Sequence, residues 1–136
     1  MHLIFELRHN KSIERYLKIL AIFYLYGAIV HYSNLLGFGE MPFTEEPLSW
    51  QIADIFYAIL DTFTVIGLWL GTRWGIASFL LSAASQLILY LSVPNWFAFN
   101  PQQQQLLWSM IIFHVITLVI FFVLLFFSQK YEQYDS

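Results

Sequence analysis

The sequence predicts an all-α polytopic membrane protein, a bundle of four transmembrane helices in a single domain with both termini in the cytoplasm. Three observations predict it. The 136-residue chain is 59% hydrophobic, 20% aromatic and only 11% charged, whereas a soluble domain carries about 25% charged residues. Four stretches reach the roughly 20 apolar residues that a helix needs to cross a bilayer. The six Lys and Arg residues all fall on one side of the topology those stretches define.

Each span is bounded by turn chemistry. The first, residues 16–36, ends at Gly37 and Gly39, and Pro42 and Pro47 keep the following gap irregular. The second and third, residues 51–70 and 74–93, are separated by a tight turn around Gly71, with Gly75 just beyond it. Gly67, Gly71 and Gly75 repeat every fourth residue, a spacing that lets two helices approach closely. Pro94 and Pro101 flank the last gap, which also holds the glutamine run 102–105, and the fourth span covers residues 106–128. No gap has room for a soluble domain. The N-terminus lacks the apolar core and cleavage site of a signal peptide. A short interfacial helix is expected there, with Leu3, Ile4 and Leu7 toward lipid and Arg8 and Lys11 toward headgroups.

Basic residues near span ends set orientation. Arg8, Lys11, Arg15 and Lys18 precede or open the first span, Arg73 sits in the tight turn, and Lys130 follows the fourth span. That side is read as the cytoplasm. The first outer loop is acidic, with Glu40, Glu45 and Glu46. Trp50, Trp96, Phe97, Phe99 and Trp108 mark the outer boundary and Trp74 the inner one, as interfacial aromatics do.

Several chemistries are excluded. The chain has no Cys, so disulfides, thiolate metal sites and thiol nucleophiles are absent. No metal, nucleotide or hydrolase motif is present. Without basic clusters beyond the first helix, nucleic acid is not an expected partner.

Polar residues inside a span are costly and usually face the bundle interior. At helical spacing, each span carries one polar stripe. Tyr24, Gly27, His31 and Asn34 share a face of the first, and Asp54, Tyr57, Asp61 and Thr64 a face of the second. Gly75, Ser78, Ser82, Ser85 and Gln86 follow on the third, and His114 and Thr117 on the fourth. From the helical rise, Asp61 lies about 15 Å below the outer end of its span, His114 about 12 Å, Gln86 about 10 Å, His31 about 8 Å and Asp54 about 5 Å. These five residues are the candidate ligand-binding or proton-linked group. Asp61 must be protonated, paired or hydrated, because an Asp at the centre of a span costs about 2.5–3.5 kcal/mol. His114, at nearly the same depth, is its expected partner, ahead of Gln86 and His31. The small residues of the third span are read as packing surface. Haem ligation by His31 and His114 is disfavoured, because their depths differ by about 4 Å and no other haem signal exists. No cofactor and no metal site is expected.

Several short blocks also carry a family likeness: Arg15-Tyr16-Leu17, Tyr32, Leu35-Leu36-Gly37, Met41-Pro42, Trp50-Gln51-Ile52-Ala53, Gly67-Leu68-Trp69-Leu70 and Trp74-Gly75. Through them, the stretch from Arg15 to Phe97 resembles a family of small uncharacterised bacterial four-helix inner-membrane proteins, known as a domain of unknown function. The layout resembles DoxX-like membrane proteins more loosely, through a long first outer loop and a tight hairpin with a basic residue. Neither resemblance implies a catalytic residue.

The expected role is therefore non-enzymatic: an accessory or assembly subunit of a larger membrane complex, with lipid and other membrane subunits as partners. The first alternative is a binder of a small hydrophobic ligand, a quinone or lipid, near His31, Asp61, Gln86 and His114. The second is a proton-coupled transporter using Asp61. Topology can be checked directly. Reporter fusions at Glu45 and Gln103 should read outside, and fusions at Thr72 and Ser136 inside; an inside signal at Glu45 would refute the orientation.

Overall fold

The computed structural model describes residues 10–135, with side chains as far as Lys130. The interfacial helix expected at the N-terminus falls outside these residues. Four long helices follow one another: α1 (Lys11–Leu35), α2 (Leu48–Trp69), α3 (Arg73–Ser92) and α4 (Pro101–Asp135). Single 3₁₀ turns, Phe43–Glu45 and Pro94–Trp96, lie in the two longer connections. No strand occurs among the described residues.

The helix starts follow from local chemistry. The Asn10 side chain accepts from the backbone N–H groups of Ser12 and Ile13, which begins α1 five residues before the predicted span. The glutamine run 102–105, read as loop, is instead the first turn of α4. Asn100 Oδ1 accepts from Gln103 N at 2.8 Å, and Gln103 Oε1 reaches back to Phe99 N at 2.7 Å. Pro101 suits the first helical position, and glutamine is a good helix former. Thr72 ties the tight turn from both sides: its hydroxyl accepts from Gly75 N and donates to the Gly67 carbonyl.

Three helices are long and apolar enough to cross a membrane, α2, α3 and α4 as far as Lys130, rather than the predicted four. The difference lies in α1. Lys11, Glu14, Arg15 and Lys18 charge its opening, and His31, Tyr32 and Asn34 its other end, so its apolar run is short for a span. Its middle nevertheless exposes Ile22, Phe23, Leu25 and Ile29. The outward faces of α2, α3 and α4 do the same with Ile55, Ile59, Phe63, Leu81, Ile88, Ile112 and Val119. Covering one such side chain is worth about 1.5–3 kcal/mol in water, so this surface is built for an apolar medium. Phe122, Phe126 and Phe127 are exposed while Phe121 is buried, because neighbours on a helix point about 100° apart.

The two longer loops meet at one end of the bundle. Gln103 Nε2 donates to Glu40 Oε2 at 3.0 Å, Ser49 Oγ donates to the Trp96 carbonyl at 2.7 Å, and the Trp50 and Phe99 rings lie 5.8 Å apart. Lys11, Arg15, Arg73 and Lys130 belong to the opposite end. Around the helix bundle, α1 packs on α2, α2 on α3, α3 on α4 and α4 on α1, which leaves α2 and α4 diagonal. The half near the basic end has an apolar core of Ile13, Leu17, Leu20, Leu68, Ile76, Phe79 and Phe121.

Two glycines set the α2–α3 approach. A methyl group on Gly75 would overlap the Gly67 backbone, and one on Gly67 would overlap Gly75. Gly71 has another use: it ends α2 at φ 63° with open space around it. Gly75→Ala should therefore destabilise by about 1–3 kcal/mol through overpacking, and Gly71→Ala by about 1–2 kcal/mol through backbone strain. Thermal unfolding in detergent checks both; a Gly75→Ala protein as stable as wild type would refute the contact.

Candidate functional site

The four polar stripes converge at the interior of the half nearest the long loops. Asp54 and Asp61 are two helical turns apart on α2, so both face α1. His31 of α1 lies between them. Its Nδ1 is 2.6 Å from Asp54 Oδ1, and its Nε2 is 3.8 Å from Asp61 Oδ2. Asn34, one turn on, also donates to Asp54 Oδ1, at 3.2 Å. Tyr57, between the two carboxyls on α2, stacks on the His31 ring with centroids 5.8 Å apart and donates or accepts at Ser85 Oγ. Gly27 makes room on α1, since a Cβ there would lie 3.0 Å from Asp61 Oδ2.

From Asp61 the chain runs across the bundle. Ser82 Oγ of α3 donates to Asp61 Oδ1 at 2.9 Å. Gln86, one turn along α3, donates from Nε2 to Ser82 Oγ at 3.1 Å. Its Oε1 meets His114 Nε2 of α4 at 2.9 Å and accepts from the Tyr90 hydroxyl. Asp61, Ser82, Gln86 and His114 are each no more than 3% exposed. The donor directions are fixed by what each group can do. The single Ser82 proton goes to Asp61, so Gln86 must present its NH₂ to Ser82 and its carbonyl to His114. His114 then carries its proton on Nε2, and Nδ1 is left buried without a partner. Every bond on this side points its positive end toward Asp61.

Chemically, the two arms of the chain differ. A carboxyl and an imidazole gain and lose protons readily. An amide does not, so Gln86 polarises the chain without passing a proton along it. Asp54, His31 and Asp61 form one ionisable cluster on α1 and α2, and the Ser82–Gln86 pair separates it from the imidazole of His114. Among the described residues no group of three His, Asp or Glu side chains is arranged to hold a metal ion.

All five sequence-predicted residues thus lie in one connected chain. Their order differs from expectation. His114 does not touch Asp61; Ser82 is its direct partner and His31 the nearest ionisable group. The depth estimates were axial only, and α2 and α4 are diagonal across the bundle, so equal depth did not bring their side chains together. Ser82, read as packing surface, is the central link. Its signal was present: Ser82 and Gln86 sit at i and i+4 on α3 and present polar groups in line.

The fold and this chain of groups define an all-helical protein with three helices built to cross a membrane and a buried polar interior. The chain belongs to the family of unknown function DUF6163, which matches residues 11–132. The match is longer than the stretch that carried the resemblance, since it includes the glutamine run and most of α4. It does not support the looser likeness to DoxX-like proteins. No curated protein and no solved structure matches.

Removing the central link should be costly. Ser82→Ala would leave Asp61 Oδ1 and Gln86 Nε2 without partners, at about 1–3 kcal/mol for each buried orphan. Asp61→Asn should be milder, because an amide still bonds Ser82, whereas Asp61→Leu should cost as much as Ser82→Ala. Thermal unfolding of the three variants in detergent checks the ranking; a Ser82→Ala protein with wild-type stability would contradict it.

Proposed function

We propose that this is a four-span protein of a bacterial cytoplasmic membrane, with both termini inside, whose non-enzymatic work is to bind and release protons at Asp54–His31–Asp61. The observation that carries the reading is one imidazole held between two buried carboxyls, 2.6 Å from one and 3.8 Å from the other. A low-dielectric interior penalises each unpaired charge. Two carboxylates and a neutral imidazole would place two negative charges there; protons are the direct means of reducing them. For α1 to be the fourth span, its charged opening must lie at the cytoplasmic headgroups, and its exposed apolar middle supports that placement.

Exchange is one-sided in this arrangement. On the basic side of Asp61 lie Leu20, Leu68, Phe79 and Phe121, all buried and apolar, with the buried phenol of Tyr24 among them. Access therefore comes from the outer side. Proton-coupled transport would add a second arrangement that opens this inner core. The quinone or lipid reading needs a cavity beside the polar chain. Two open apolar grooves are found, and both lie on outward faces: one lined by Leu118, Phe122 and Phe126, the other by Phe56, Phe63 and Trp74. An accessory-subunit role is compatible with proton binding and would supply its setting.

Infrared spectroscopy of the protein in lipid vesicles tests the reading. The carbonyl stretch of protonated carboxyl groups should grow and fade with external pH. Part of that change should vanish in Asp61→Asn and part in Asp54→Asn, while both proteins remain helical. A wild-type spectrum with no pH-dependent carboxyl band would sink it.

A further inference from the structure

We infer that Glu46, from the first outer loop, is the outermost member of the proton-binding chain, sharing a proton with Asp54 and passing it to and from the outer side. The inference rests on the proton-binding reading above and names the group through which the site is reached.

The geometry is unusual for a loop carboxyl. Glu46 follows the 3₁₀ turn Phe43–Glu45 and is 6% exposed, whereas its neighbour Glu45 is exposed. Its position is fixed on both sides. Gln51 Nε2 donates to the Glu46 carbonyl at 2.8 Å, and Pro47 follows at the head of α2. Gly39 brings the loop close: a Cβ there would lie 2.8 Å from Asn34 Oδ1 and 3.5 Å from Glu46 Oε1. The Glu46 carboxyl thereby comes beside Asn34, whose amide bonds Asp54 Oδ1, and so lies next to the Asp54 carboxyl. Its Oε2 is buried, and no donor group reaches it. Two carboxyl groups in contact with no donor between them are stable only with a proton in the gap. His31 and Asn34 both bond Asp54 Oδ1, which leaves the other Asp54 oxygen for Glu46.

Charges around the pair are few. Asp54 faces it from α2, and His31 stands behind Asp54 on α1. Between Gly75 and Gln129, α3 and α4 contribute no ionisable side chains other than Tyr90 and His114. Glu40, in the same loop, is engaged by Gln103. Among the described residues no cation is placed to hold Glu46 as a carboxylate. Burial first, and the Asp54 charge second, raise the Glu46 carboxyl above its ordinary 4.5. A raised carboxyl contributes stability that is present below its unfolded value and is lost as pH rises through its folded value.

The test uses the full chain in vesicles and in detergent. In infrared titration, Glu46→Gln should remove the Glu46 component of the protonated-carboxyl band, shift that of Asp54 and leave that of Asp61. In detergent, wild-type stability should fall as pH rises above 4.5, and Glu46→Gln should flatten that fall. Asp54→Asn, which removes the neighbouring charge, should move the Glu46 component to lower pH. An unchanged band in Glu46→Gln, with Asp54 and Asp61 still responding, would overturn this inference alone. Should Glu46→Gln fail to accumulate, an unmoved Glu46 component in Asp54→Asn overturns it instead. If no carboxyl responds in the wild type, the proton-binding reading falls and this inference with it.

Discussion

The carboxyl of Asp61 is 2% exposed in the interior of the bundle, and a group buried there must be met by hydrogen-bond donors from outside its own helix. That requirement orders the rest. Ser82 must face α2, so the register of α3 against α2 is fixed by the 2.9 Å bond. Gly67 and Gly75 permit the close helix contact that brings it there. Gln86 must then turn its NH₂ toward Ser82, which presents its carbonyl to α4 and draws in His114. On the other side Gly27 leaves space for the carboxyl and His31 closes over it. One buried acid thus recruits a polar group from each of the other three helices.

Much of this was legible in the sequence, because helical periodicity is strict. The polar stripes of the four predicted spans are the interior faces of the four helices, and the five candidate residues join one chain. What periodicity cannot supply is which helix stands beside which. Depth along a span follows from counting residues, but the diagonal position of α2 and α4 depends on how the bundle closes. That is why His114 was paired with Asp61 and Ser82 was passed over. Serine on a small-residue face reads as packing, and only the bonds to Asp61 and Gln86 distinguish it. The glutamine run shows a different limit. Composition marks it as low complexity, whereas the Asn100 cap and Pro101 make it helix.

Glu46 shows where a sequence reading of loops fails. Three glutamates in one outer loop look like a single acidic surface. The fold separates them: Glu40 reaches the start of α4, Glu45 is exposed, and Glu46 turns inward. The separation depends on the close approach at Gly39 and on the carbonyl bond from Gln51. Neither has a signature in the order of residues, because each joins parts of the chain through a loop without periodic structure.

The division of the bundle into a polar outer half and an apolar inner half constrains any mechanism. On the proposed reading, a proton entering at the long-loop end would meet Glu46, Asp54, His31 and Asp61 in turn, with 2.6 Å between His31 and Asp54 and 3.8 Å between His31 and Asp61. Beyond Asp61 the route divides. Toward α4 it meets the Gln86 amide, which bonds but does not titrate. Toward the basic end it meets Phe79 and Leu68, which do neither, and the phenol of Tyr24, packed edge-on against Phe79. The strut through Gln86 holds Asp61 in place without short-circuiting it to His114. On the proposed reading, such a chain would store and return a proton at the long-loop end. Moving it to the other end would require the helix contacts there to separate, and the close approach of Gly67 and Gly75 ties α2 to α3 at that end.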